Sequence, residues 1–172
     1  MTQHEMETRL AALEAMTRRL QDIEEIKQLM SSYTYSFDYG ELDNLLDCFA
    51  EDAKMEVGMR GKAEKGKVAH EGRYDGKGAI TKLYSSILPT KDRFAASHLI
   101  MNPVVKVDGK RAKGTFYLLE ATGVKRAIWG HGRYDIEYIR VNGKWKISSF
   151  RYTWNFSTPY DEGWVKTPMV GR

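Results

Sequence analysis

One cysteine, Cys48, stands in a chain of 172 residues. An intramolecular disulfide framework and a cysteine-rich zinc site are therefore excluded. No apolar run approaches the ~18 residues that a membrane span needs. The opening stretch from Met1 to Arg19 carries too many charges for a secretory leader. With neither a membrane span nor a leader, the expectation is a cytoplasmic protein. Charge of one sign is also missing, since 27 basic against 23 acidic residues leave a net charge of only +4. The basic residues lie scattered, as at Lys62, Lys65 and Lys67 or Lys110, Arg111 and Lys113, mostly beside glycines at strand ends. A nucleic-acid site wants them on one stripe interleaved with stacking aromatics, so no nucleic-acid partner is expected. Gly76-Lys77-Gly78 lacks the rest of a phosphate-binding loop. His, Asp and Glu nowhere cluster at metal-ligand spacing. Neither a cofactor nor a metal is implied.

What is present is enough for a packed core: 42% hydrophobic residues, 12% of the chain aromatic. A chain of this length suits a single domain. Met6, Leu10, Leu13, Met16 or Thr17, and Leu20 repeat in steps of three and four without a Gly or Pro between them, which predicts a helix. Ile23, Ile26, Leu29, Met30 and Tyr33 continue the stripe after a slight change of phase near Gln21–Asp22. The reading is a protruding helix over 1–21, possible packing against another subunit, and then a first core helix to about Phe37. Asp38-Tyr39-Gly40 ends it. Leu42, Leu45, Leu46 and Phe49 mark a second, short helix, and 76–88 a third that Pro89 stops. Between them a strand over 53–57, a Gly/Lys-rich loop over 58–66 and a strand over 68–74 are expected.

From Ser97 the period changes to two. Four long strands are expected, over 97–107, 110–122, 126–141 and 144–156, with Asp108-Gly109 and Asn142-Gly143 as hairpin turns. Helices followed by an antiparallel meander make an α+β fold, here a cone-shaped barrel with the helices inside a strongly curved, mainly antiparallel sheet. The domain runs over 22–157, and the aromatic-bearing tail over 158–172 is expected to cover the cavity mouth or a neighbouring subunit.

Alternation assigns faces. His98, Ile100, Asn102 and Val104 share one, and Phe116, Leu118 and Glu120 another. Phe150, Tyr152, Trp154 and Phe156 form an aromatic row, while Arg151 counts outward. Of the four histidines, His4 lies in the N-terminal stretch, His70 beside Glu71, and His131 on an outward row. His98 opens a strand on an apolar face, where a base needs a carboxylate partner, and Asp38 at the end of the core helix is the best available.

Three ordered stretches carry a resemblance. They are Ile23-Glu24-Glu25-Ile26-Lys27-Gln28-Leu29 with Tyr33 and Asp38 beyond it, Ser97-His98-Leu99-Ile100-Met101-Asn102-Pro103 with Asp108-Gly109, and Gly132-Arg133-Tyr134 through Trp145-Lys146-Ile147. Together they resemble the SnoaL-like proteins of the nuclear transport factor 2-like superfamily, over about Asp22 to Phe156. The resemblance is to the branch that holds bile-acid 7α-dehydratase and hexachlorocyclohexane dehydrochlorinase, with scytalone dehydratase further off.

That resemblance implies a cofactor-independent lyase on a small apolar polycyclic or aromatic substrate. Its His–Asp base maps onto His98 and Asp38, its helix tyrosine onto Tyr33 and its strand acid near Glu120. In the implied mechanism Asp38 holds one ring nitrogen of His98 while the other takes a proton from carbon. Tyr33 donates a hydrogen bond to the developing oxyanion or the departing hydroxyl, and Glu120 acts as a second acid or binds substrate. Phe116, Leu118, Phe150 and Trp154 would wall the cavity. The arginine that branch members carry late in the last strand is replaced near Trp154. Two other readings stay open: an assembly subunit like the β subunit of a ring-hydroxylating dioxygenase, and an isomerase or cyclase. The protruding first helix and the aromatic tail lead to the expectation of a homo-oligomer, and the resemblance implies a trimer or a dimer.

Overall fold

A computed structural model of the chain describes residues 1–59, 70–88, 97–123 and 126–169. Helix α1 runs Gln3–Asp38 and α2 Leu42–Asp47. They are followed by β1 (Phe49–Met59), β2 (Gly72–Asp75), α3 (Lys77–Ile87), β3 (Ser97–Asp108), β4 (Arg111–Gly123), β5 (Ala127–Val141), β6 (Lys144–Pro159) and α4 (Gly163–Lys166). One six-stranded sheet results, in the order β2-β1-β6-β5-β4-β3. Neighbours are antiparallel except β1 and β6, which run parallel. The fold is α+β, with the helices on one face of a mixed sheet. Most of the Gly/Lys-rich loop over 58–66, the start of the strand expected from 68, and Pro89 lie outside the described residues.

Where the sequence suggests two helices meeting near Gln21–Asp22, the chain forms one. The phase change marks only the point at which the surface facing the helix changes. Residues before Asp22 are exposed, and from Ile26 onward Met30, Tyr33 and Thr34 are buried. Thr2 starts the helix with a capping box: its hydroxyl accepts from the Glu5 amide at 3.3 Å and its own amide donates to Glu5 at 2.7 Å. Gly40 ends it with φ of 70°, a left-handed turn that suits glycine. That stop leaves Asp38 as the last helical residue, aimed at the start of β3.

At the point where α1 leaves the domain it is latched to the β5–β6 hairpin. Arg140 pairs with Asp22 at 3.0 Å and also with Glu25, and its guanidinium lies 5.1 Å from the centre of the Trp145 ring. The Trp145 indole N–H donates to the same Asp22 carboxylate at 3.1 Å. Losing the cation leaves Asp22, which is only 15% exposed, with the Trp145 N–H but no counter-charge from Arg140. Arg140→Met is therefore expected to destabilise the fold by about 1–3 kcal/mol, the usual worth of hydrogen bonds to charged groups. Chemical denaturation of the two proteins checks it, and an unchanged midpoint would show that the latch is idle.

Bulges in β3 and β6 correct the faces read from alternation. In β3 the register slips between Met101 and Val104, with Asn102 at φ of 52° and Pro103 next to it. Beyond the slip Val105 and Val107 pack against the core, while Val104 is 58% exposed. His98 and Ile100 thus share a face that Asn102 and Val104 do not. In β6, Asn155 is the extra residue, because Trp154 pairs with Gly132 and Phe156 with His131. Phe156 consequently leaves the aromatic row and stacks on His131 at 5.5 Å, and Ser157 takes its place on the inward face, opposite Gly130.

The inner face holds a dense aromatic core. Tyr33 contacts Phe49, Tyr84, Tyr134 and Phe150, with ring centroids 5.3 to 6.4 Å apart. Two glycines in β5 make room for it. A Cβ on Gly132 would stand 2.3 Å from the Tyr152 ring, and one on Gly130 would stand 2.4 Å from a carboxylate oxygen of Glu120. The tail returns to this sheet: the Ser157 amide donates to the Pro168 carbonyl at 3.1 Å, and Trp164 of α4 stacks on Phe156 at 5.0 Å.

Candidate active site

The C-terminal end of α1 and the first residues of β3 meet at the edge of the sheet. Asp38 Oδ1 lies 2.5 Å from Nδ1 of His98, and Oδ2 accepts the backbone N–H of His98 at 3.0 Å. One carboxylate thus grips the residue twice, fixing the position of the imidazole as well as its tautomer. The side chains of His98 and Asp38 are 6% and 14% exposed. Phe37 packs edge-on to the imidazole with ring centroids 4.4 Å apart.

The second nitrogen is occupied too. His98 pairs with Glu120 across β3 and β4, and Nε2 lies 3.1 Å from Glu120 Oε2. Glu120 is 3% exposed. A buried carboxylate is costly without a partner, and here the partner is the imidazole. The acid that the resemblance puts near the site is thus brought onto the second ring nitrogen of His98. Asp38, His98 and Glu120 form one chain of carboxylate, imidazole and carboxylate. One proton must lie between Nε2 and Oε2, or two lone pairs would face each other.

Register extends this site across the sheet. His98 stands opposite Glu120, Glu120 opposite Gly130, and Gly130 opposite Ser157. The Glu120 carboxyl lies over Gly130, the one residue type that leaves space for it. Ser157, 1% exposed, ends the row with a hydroxyl that has no hydrogen-bond partner among the described residues. Sequence reasoning missed Ser157 because the bulge at Asn155 reverses its face. It also missed Gly130 as the seat of the Glu120 carboxyl, although a glycine opposite an inward acid was a readable signal.

The other expected site residues lie elsewhere. Tyr33 bonds through its hydroxyl to the Tyr84 hydroxyl at 2.8 Å, and Tyr84 in turn donates to Met55 Sδ at 3.6 Å. Burial pushes the Tyr33 phenol well above the ordinary tyrosine range. The structure places it in the aromatic core rather than in the chain of proton-carrying groups. Phe116, Leu118 and Phe150 are 2%, 0% and 1% exposed and belong to that core, and Trp154 packs on Tyr152 at 4.5 Å. Arg151 points outward to Glu56 at 3.2 Å, so it cannot stand in for a late-strand arginine in the site. His131 sits on the outer face between Tyr117 and Phe156, its pKa lowered by burial. His70 accepts from the Tyr74 hydroxyl through its carbonyl at 3.0 Å.

A groove of about 660 Å³ opens on the outer face of the sheet, among Lys54, Glu56, Arg73, Lys113, Glu137 and Arg151. None of Asp38, His98 or Glu120 lines it. Among the described residues no group of three or more His, Cys, Asp or Glu is arranged to hold a metal ion. Nor is any helix among them long and apolar enough to cross a membrane.

The comparisons with known proteins agree with this architecture. A family model described as a SnoaL-like domain matches residues 18–151, more than half of the chain. The chain belongs to the SnoaL-like domain family. This SnoaL-like chain is similar to a provisional scytalone dehydratase from Novosphingobium aromaticivorans DSM 12444, at TM-score 0.69 and 20% identity over 82% of this chain and 89% of that one. It is similar as well to hexachlorocyclohexane dehydrochlorinase LinA-type3 from Novosphingobium barchaimii LL02, at 0.66 and 22% over 82% and 91%. A cystatin-like protein of unknown function from Nostoc punctiforme PCC 73102 matches at 0.59 and 22%, over 76% and 88%. At such identities these likenesses speak for the fold alone. No curated protein sequence matches the chain.

Proposed function

We propose that this SnoaL-like protein is a cofactor-independent lyase that eliminates water from a small apolar ketone, with His98 held by Asp38 as the base. The observation that carries the reading is the imidazole clamped between two buried carboxylates, with 2.5 Å on one side and 3.1 Å on the other. A scaffold or assembly subunit has no need to bury two acids on one histidine. The names of two similar structures, a dehydratase and a dehydrochlorinase, belong to the same class of reaction.

In the resting state Nδ1–H donates to Asp38 and the Glu120 acid donates to Nε2. A bound substrate takes the place of Glu120 at Nε2. His98 then removes the proton from the carbon beside the carbonyl, leaving an enolate that can be reprotonated, and the enolate's electron pair forms the new C=C bond when the β-hydroxyl leaves. Glu120 gives its proton to the departing oxygen, so water forms. Imidazolium and carboxylate are left, and the proton passes from Nε2 to Oε2 across their contact to restore the start. The Ser157 hydroxyl, orphaned in the same row, is the donor for the substrate's carbonyl oxygen as negative charge develops there. Tyr33 has no part in these steps. A flat polycyclic or aromatic skeleton is the substrate class that the family resemblance implies.

The test is a panel of flat polycyclic and aromatic β-hydroxyketones incubated with the protein in D2O. The expected result is loss of water with a new conjugated absorption, and deuterium at the α-carbon of recovered substrate. Deuterium uptake with a shifted double bond and no loss of water would instead assign an isomerase. If no member of the panel exchanges or changes, the catalytic reading fails.

A further inference from the structure

The outer half of α1 holds its apolar side chains in water. Met6, Leu10, Leu13, Met16 and Leu20 are between 48% and 62% exposed. Most helical stability in proteins comes from packing of an apolar face, and this helix is continuous from Gln3 with that face uncovered. Its stripe calls for a cover.

The stripe has the spacing of a coiled coil. Met6, Leu10, Leu13, Thr17 and Leu20 follow one another by four, three, four and three, which places Met6, Leu13 and Leu20 at d positions and Leu10 and Thr17 at a positions. Glu7 and Glu14 then fall at e, and Arg9 and Met16 at g. Away from the seam stand Thr8, Ala11, Ala12, Ala15, Arg18 and Arg19, small or basic.

The charges select both the occupant and its direction. In a parallel pair each g residue faces the e residue five positions on in the other helix. Arg9 therefore meets Glu14 of a second copy, and the symmetry makes that pair twice. In an antiparallel pair e faces e, so Glu14 meets Glu14 and like charges repel. The Arg140 latch on Asp22 and Glu25 fixes where the helix leaves the domain, so a parallel pair sets two domains side by side at the same end. We propose that residues 3–20 form a parallel coiled coil with the same segment of a second copy of this chain. This does not depend on the enzymatic reading.

Full-length L10C protein tests it by air oxidation and a non-reducing gel. Leu10 is an a position, where parallel helices bring like residues together, whereas an antiparallel seam packs a against d and sets Leu10 beside Leu13 or Leu20 of the second copy. L10C is expected to form a covalent dimer, and A15C on the outer side of the helix is not. Adding Arg9→Glu to L10C should lower the yield several-fold, and adding Glu14→Arg as well should restore it. Both positions are exposed on the helix, so folding, followed by circular dichroism, is expected to be unchanged. No covalent dimer with L10C, an equal yield with A15C, or failure of the charge exchange to restore coupling would overturn the proposal.

Discussion

His98→Ala should cost the protein its elimination activity and its α-deuterium exchange together, each by ~10²–10⁴-fold, the usual worth of a positioned general base. Both processes begin with the same proton leaving carbon, and His98 is the base assigned to it. The imidazole also separates two carboxylates. With the ring gone, Asp38 and Glu120 remain in a buried space without the group that satisfied them, so some loss of stability accompanies the loss of rate. Asp38→Asn keeps the shape and tests the base more selectively. The amide can donate to Nδ1 and favour the wrong tautomer, and rate should fall while the melting temperature changes little. Deuterium exchange by mass spectrometry, with thermal melting as the control, reads both effects. Undiminished exchange in folded His98→Ala protein would remove this histidine from the chemistry.

Glu120 offers the second large effect, and a sharper one because two reactions separate. Glu120→Gln keeps a side chain of the same shape on Nε2 but cannot give a proton to the departing hydroxyl. Elimination of water should fall by about 10²-fold or more, while α-exchange, which needs only His98, is much less affected. Gly130→Ala reaches the same end by a different route. The new methyl stands 2.4 Å from Glu120 Oε1, so the carboxyl must shift along the strand and away from Nε2. Crowding of this kind typically costs ~1–3 kcal/mol, and elimination should drop alongside. Exchange and elimination falling by equal factors in Glu120→Gln would show that this acid does not serve the leaving group.

Much of this site was legible before any fold was known. Alternation in β4 and β5 places Glu120, Gly130, Gly132 and Tyr134 inward, and their burial agrees. Alternation fails only where a residue is inserted. Asn102–Pro103 and Asn155 shift the count by one, which reverses every following side chain. Val104 and Phe156 were therefore assigned to the wrong face and Ser157 was overlooked. Tyr33 shows another limit. A tyrosine on a core helix reads the same whether its hydroxyl points at a substrate or, as here, at a neighbouring tyrosine.

Local sequence determined the elements of this protein: helical stretches closed by Gly40, hairpins at Asp108-Gly109 and Asn142-Gly143, and the inward rows between them. These follow from short-range sterics and periodicity, which a chain carries wherever it goes. Tertiary structure alone decided that Asp38 grips His98 across 60 residues and that Glu120 closes the other ring nitrogen. Those contacts depend on strand register and on the angle at which α1 crosses the sheet. Both are set by the packing of the whole core, and no single stretch of sequence contains them.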